Sequence, residues 1–219
     1  MQKIVCISDT HGKHKKVKIP KCDILIHAGD FSSTGKHDEV ERFLRWLNKQ
    51  PAEHIIFCAG NHDLSFDFEP EFKEEMLRKY VWGTATSNPR IHYLEDSSII
   101  CNGLHFYGMP WCPRFMNWAF YFESGSKELQ EKCSSIPLDT DILITHGPPW
   151  GVLDLTYSQE YAGSQALRNR IHSLNLKYHV FGHIHEGYGS ELYEKTMFIN
   201  ASTCTAFYEP TNAPVIIEI

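Results

Sequence analysis

Five times along this chain a short aliphatic run stops at a polar segment: Asp9-Thr10-His11, Gly29-Asp30, Gly60-Asn61-His62-Asp63, Thr145-His146-Gly147 and Gly182-His183-Ile184-His185. The runs before them, residues 3–8, 23–28, 54–59, 141–145 and 178–182, are strand-sized and rich in Ile, Leu and Val. That is the composition of strands buried on both faces, so each polar segment sits at a strand end. Residues 38–50 put Val40, Phe43, Leu44 and Leu47 at helical spacing, with Pro51 just beyond, which makes the second and third runs a β-α-β crossover. Residues 70–80, opening on Pro70 with acids in the first turn, and 164–174 read as further helices.

Antiparallel pairing is expected around Asn102-Gly103, a hairpin dipeptide between residues 98–101 and 104–107. The tail adds strands near 191–193, 197–200 and 214–219, and no repeat or linker interrupts the pattern. The reading is α/β, two packed β-sheets with helices outside, as one domain over residues 1–219. At 42% hydrophobic residues the chain can bury a substantial core.

Composition narrows the function. The longest apolar stretches are far too short for a bilayer-spanning helix, and the opening Met1-Gln2-Lys3 does not read as a signal peptide. Seven cysteines without a Cys-x-x-Cys pair suggest buried small apolar residues rather than a disulfide framework, and the expected location is cytoplasmic. A net charge of −6 offers no basic footprint for a long nucleic acid, so a small substrate is favoured. Phosphate-loop, nucleophile-elbow and dinucleotide fingerprints are absent from the sequence. Thirteen histidines, several at strand ends beside Gly, Asp and Asn, point instead to a metal site.

A lone strand-end aspartate more often forms a turn than binds metal. As an ordered set, however, the five segments resemble the calcineurin-like metallophosphoesterase superfamily, whose pattern runs Asp-x-His, Gly-Asp, Gly-Asn-His-Asp/Glu, His and Gly-His-x-His. The resemblance implies a four-layer α-β-β-α sandwich of two mixed β-sheets flanked by helices. It also implies two divalent metal ions, Mn first, with Fe, Zn or Ni as alternatives. By position, Asp9, His11, Asp30 and His185 would hold one metal, with Asp30 bridging to a second held by Asn61, His146 and His183. Carboxylate and imidazole suit such ions. Two dications less two carboxylates and a bridging hydroxide leave roughly one positive charge to attract phosphate and orient the hydroxide for attack. His62, outside the ligand set, would contact the phosphate with Asn61 and protonate the leaving oxygen. Asp63 would orient that imidazole or, as an equal alternative, hydrogen-bond nearby backbone.

The second segment reads Gly29-Asp30-Phe31-Ser32-Ser33, unlike the Gly-Asp-x-Val-Asp-Arg-Gly of protein Ser/Thr phosphatases. Gly108-Met109-Pro110-Trp111 with Trp118-Ala119-Phe120, and Thr145-His146-Gly147-Pro148-Pro149, look like the small branch named for metallophosphoesterase-domain-containing proteins. That likeness implies a phosphodiesterase for a small nucleotide-like ester, cyclic nucleotides included. A phosphomonoesterase with the same centre, or a slow nucleotide-binding protein, is the alternative. Trp111 and Arg114, in the aromatic stretch 106–122, are the candidates for substrate contact, against a simpler reading in which the aromatics pack the loop onto the sheet. His27, inside a strand, is expected to be a hydrogen-bonded core residue, and His14, His37, His92, His105, His172 and His179, outside the motifs, to take surface or packing roles.

Overall fold

The computed structural model describes residues 1–83 and 90–219. Its first half runs β1 (Lys3–Ile7), β2 (Cys22–Ala28), α1 (His37–Leu47), β3 (Ala52–Cys58), α2 (Leu64–Phe68), α3 (Pro70–Tyr80) and β4 (Ile91–Tyr93). The second half has β5 (Ser97–Cys101), β6 (Leu104–Met109), β7 (Cys112–Pro113), β8 (Tyr121–Phe122), α4 (Lys127–Ser134), β9 (Ile142–Thr145) and α5 (Gln165–Ile171). It continues through β10 (Tyr178–Phe181), β11 (Gly189–Tyr193), β12 (Thr196–Asn200) and β13 (Val215–Glu218). One sheet orders its strands β13-β1-β2-β3-β4 and the other β11-β12-β10-β9-β6-β5, with β7 and β8 forming a small separate pair. Central strands are parallel, whereas β13, β11 and β5 join the edges antiparallel.

Alternation along the strands builds the layers. Ile4, Cys6, Ile24, Ile26, Ile56 and Cys58 face the other sheet and meet Phe106, Ile142, Ile144, Val180 and Ile199. Their neighbours Val5, Ile7, Leu25 and Phe57 point the opposite way, onto Val40, Phe43, Leu44 and Leu47 of α1 and Met76 and Leu77 of α3. Leu143, Phe181 and Phe198 of the second sheet meet Leu129 and Cys133 of α4 and Leu167 and Ile171 of α5. A one-residue slip of any central strand would exchange these two cores, so register is fixed by burial on both faces. This is the expected α-β-β-α sandwich.

Local chemistry sets several boundaries. Asn102 and Gly103 both take positive φ (50° and 77°), the type I′ geometry that closes β5 onto β6. The helix expected over 164–174 is shorter, Gln165–Ile171: Ser164 stands outside it as the N-cap, its Oγ accepting from Leu167 N at 3.1 Å, and His172 closes its other end. Ser126 caps α4 in the same way, a helix with too few apolar residues for its periodicity to stand out in the sequence. All seven cysteines are buried and free. No described helix is long and apolar enough to cross a membrane.

Candidate metal centre

The loops after β1, β2 and β3 meet those after β9 and β10 along one edge of the sandwich. Asp9 N donates to Gly29 O and His11 N to Asp30 O, both at 3.0 Å, so the first two loops run side by side. Gly182 N donates to His146 O at 3.0 Å, and His183 N reaches across to the Asp9 carboxylate at 3.1 Å, which ties the two sheets together at this edge. Asp9, His11, Asp30 and His183 all sit in the left-handed region, with φ of 51°, 41°, 54° and 69°. Each such residue costs about 1–3 kcal/mol, strain characteristic of functional sites. Gly29 (φ 96°) is required by its neighbours: a Cβ there would lie 2.5 Å from His146 Nδ1 and 2.7 Å from Ala59 O.

Two knots of donor atoms result. In the first, His11 Nε2 and His185 Nε2 are 3.1 Å apart, and Asp9 Oδ1 lies 3.4 Å from the latter and 3.9 Å from the former. In the second, His146 Nε2 is 2.8 Å from Asn61 Oδ1 and 3.3 Å from Asp30 Oδ1. Asp30 also belongs to the first knot through Oδ2, 3.8 Å from His11 Nε2. The His183 ring centroid is 5.0 Å from that of His146. The seven expected ligand positions are therefore gathered at one place, with both carboxylates and His146 buried.

These side chains fit divalent cations, and the imidazole partners give the reason. His146 Nδ1 donates to Ala28 O at 3.0 Å and His185 Nδ1 to Thr205 O at 2.9 Å. Each neutral ring must then present the Nε2 lone pair to an oxygen or another ring nitrogen, an arrangement that calls for a proton or a cation in between. The polypeptide alone uses the proton: burial lowers the His146 pKa, but the Asp30 charge outweighs it and the group ends at about 9. Burial raises the Asp30 pKa, yet His146, His62 and His11 carry it well below the carboxylate range. His11 and His183 are pushed down by burial, to about 4 and about 3, and are neutral at physiological pH. The donor set of two carboxylates, four imidazoles and an amide oxygen matches Mn, Fe, Zn or Ni.

His62 and Asp63 part company. His62 Nδ1 donates to Ser33 O at 2.8 Å, its ring stacks on Trp118 at 4.0 Å, and its backbone N donates to Asp30 Oδ1 at 2.8 Å. The Asp63 carboxylate instead accepts from Ser32 N (2.9 Å), Ser32 Oγ (2.6 Å) and Gly60 N (2.9 Å), fastening the β2 loop to the β3 loop. Its burial and the Asp30 charge push its pKa up to about 8. Asp63 thus takes the backbone-bracing alternative, and the Ser33 carbonyl does the orienting expected of it.

Residues 2–187 match the calcineurin-like phosphoesterase family. The chain belongs to that family. It is a metal-dependent phosphoesterase, and the family implies a small phosphate-ester substrate. Among its relatives are metallophosphoesterase domain-containing protein 1 of Homo sapiens and of Mus musculus, each 39% identical over 99% of this chain and 71% of its own length. A UPF0046 protein of Caenorhabditis elegans is 34% identical over 99% of this chain and 75% of its own. The solved structure of TT1561 from Thermus thermophilus superposes with a TM-score of 0.62 at 12% identity, covering 91% of this chain and 88% of that one, a likeness of fold.

The mouth of the phosphoesterase centre differs from the sequence expectation. A cleft of about 370 Å³ opens over Asp30, Asn61, His62, His183 and His185 and is walled by Phe115, Thr156, Ser158 and Tyr208. Trp111 and Arg114 are not among its lining residues. Trp111 Nε1 donates to both oxygens of Asp96 at 2.9 Å, and its ring packs on Phe120 and Phe122. Arg114 spends its donors on Glu123 (2.5 Å), Asn117 (2.6 Å) and Met116 O (3.1 Å), within its own loop. Both serve to fold the loop, the simpler reading of the aromatic stretch. Tyr208, Thr156 and Ser158 were invisible in the sequence because no motif flanks them and they come from loops far along the chain.

Proposed function

We propose that the chain is a dinuclear phosphodiesterase that hydrolyses a small nucleotide-like diester, cyclic nucleotides included, as one domain spanning residues 1–219. Asp9, His11, Asp30 and His185 hold one ion, and Asp30, Asn61, His146 and His183 the other, with Mn²⁺ the first choice of metal. When bound, the two ions lower the pKa of a shared water and neutralise the phosphoryl oxygens. Asn61 and His62 bind the phosphate. His62, with Nδ1 committed to Ser33 O, keeps only Nε2 free to move a proton, and it gives that proton to the departing oxygen. Phe115 and Tyr208, which wall the cleft, offer faces for a base. Seven buried free thiols support a reducing, cytoplasmic setting.

The observation that carries this reading is the aimed imidazole of His62 beside the donor cluster. An alkoxide leaving from a diester needs an acid, whereas nitrophenolate leaves unaided. The Mn²⁺-reconstituted protein should therefore hydrolyse nucleoside diesters, and His62→Ala should lower that rate by about 10²-fold while lowering nitrophenyl ester hydrolysis by less than about tenfold. Equal losses on both, or faster turnover of monoesters, would sink the proposal.

A further inference from the structure

Behind the centre, on the helix-facing side of each sheet, lies a buried histidine that none of the chemistry above employs. His179 on β10 is fully buried, its ring among Phe181 and Phe198, and its Nε2 is 2.8 Å from Thr145 Oγ1. Thr145 Oγ1 is also 2.6 Å from Gly147 O. Only the hydroxyl can supply the proton of that shorter contact, so its single hydrogen is committed to Gly147 and His179 Nε2 must be the donor to Thr145. The chain His179 to Thr145 to Gly147 spans the turn whose middle residue is His146. On the other sheet His27 is placed in a related way: fully buried, in register with Ile7, its Nε2 is 3.1 Å from the Oγ1 of Thr10, the residue between Asp9 and His11, and that hydroxyl also lies 3.5 Å from Phe31 O of the neighbouring loop. In both rings Nδ1 has no hydrogen-bond partner among the described residues. Burial pushes both down to about 3, so both are neutral.

An apolar residue would fill either position without leaving a buried nitrogen unpaired, a desolvation penalty of about 1–3 kcal/mol. Packing alone does not call for histidine here. We propose that His179 and His27 are positioning residues, each fixing, through one hydrogen bond to a strand-end threonine, the turn that aims neighbouring ligands into the metal centre. The inference rests on the ligand assignment above but not on the choice of substrate.

The test is calorimetric titration of the chelator-stripped full-length protein with Mn²⁺, alongside thermal unfolding. His179→Phe, which keeps the ring and loses the donor, should weaken Mn²⁺ by about 10- to 100-fold, and His179→Gln, which can still donate, should recover most of it. Thr145→Val should match His179→Phe and Thr145→Ser should remain near the parent, which keeps the test decisive if a histidine variant does not fold. The double variant should lose no more than either single one, because both break one chain. Leu167→Ala supplies the control, a core lesion that destabilises without touching Thr145. If His179→Phe and Thr145→Val bind Mn²⁺ as tightly as the parent, or lose only what Leu167→Ala loses at equal stability, the positioning role is wrong. A parent protein that binds no Mn²⁺ would overturn the ligand assignment and this inference together.

Discussion

The floor of the centre and its rim are both made of loops, yet the floor was readable from the sequence and the rim was not. Floor residues lie within a few positions of a strand end: Asp9 and His11 follow β1, Asp30 follows β2, Asn61 follows β3, His146 follows β9 and His183 follows β10. The sheets fix where those loops start, and cross-loop bonds such as Asp9 N to Gly29 O at 3.0 Å fix their course. The rim residues Thr156 and Tyr208 sit in mid-loop, and Phe115 follows only the two-residue β7, outside both large sheets, in an aromatic stretch pinned by contacts such as Trp111 to Asp96. Attachment to a strand of one of the two large sheets, more than residue type, separates what could be placed from what could not.

The largest expected effect tests the floor. Asp30→Ala removes the carboxylate common to both knots and should lower Mn²⁺-dependent kcat/KM by roughly 10³-fold, since such ions supply several kcal/mol of charge stabilisation. Activity that survives this change would break the comparison at its stronger side. At the rim, Phe115→Ala should raise KM for a nucleoside diester by about tenfold, within the range of base stacking, and leave KM for a small alkyl diester nearly unchanged. Equal effects on both substrates would mean that Phe115 shapes the loop rather than meeting a base.

A third outcome concerns the support beneath the floor. His179 and His27 titrate at about 3 when folded, below the 6.5 of an unfolded histidine, so the unfolded chain binds the extra proton. Their contribution is complete above about pH 6.5 and fades as pH falls toward 3, by about 1.4 kcal/mol per pH unit for each. Urea denaturation between pH 7 and pH 5 should therefore show a shallower acid loss in His179→Phe than in the parent. Parallel profiles would place the acid sensitivity elsewhere. The smallest effect belongs to Arg114→Ala, whose partners are Glu123, Asn117 and Met116 O in an exposed loop. KM should change by less than about twofold, because exposed ion pairs contribute little. A larger shift would show that the loop rearranges to bring Arg114 to the substrate.

The motif order made the family and the donors that gather at the sheet edge legible, and strand alternation made the two sheets legible, because both follow from short-range patterns in the sequence. Asp63 shows where that reasoning stops. A carboxylate next to His62 in sequence looked equally able to orient the ring or to bind backbone, and only the loop conformation sent it to Ser32 and Gly60. His27 and His179 illustrate the same limit from the other side. The burial of His27 was legible and that of His179 was left open, but neither threonine partner was legible, because the hydrogen bonds join residues 17 and 34 positions apart. By itself the sequence determined which strands form, which faces they bury and which donors stand at their ends, since periodicity and residue chemistry are local. Tertiary structure alone decided which of those donors meet, which imidazole nitrogen each one offers and what walls the cleft, because these depend on loops whose paths are set by hydrogen bonds between segments distant in the chain.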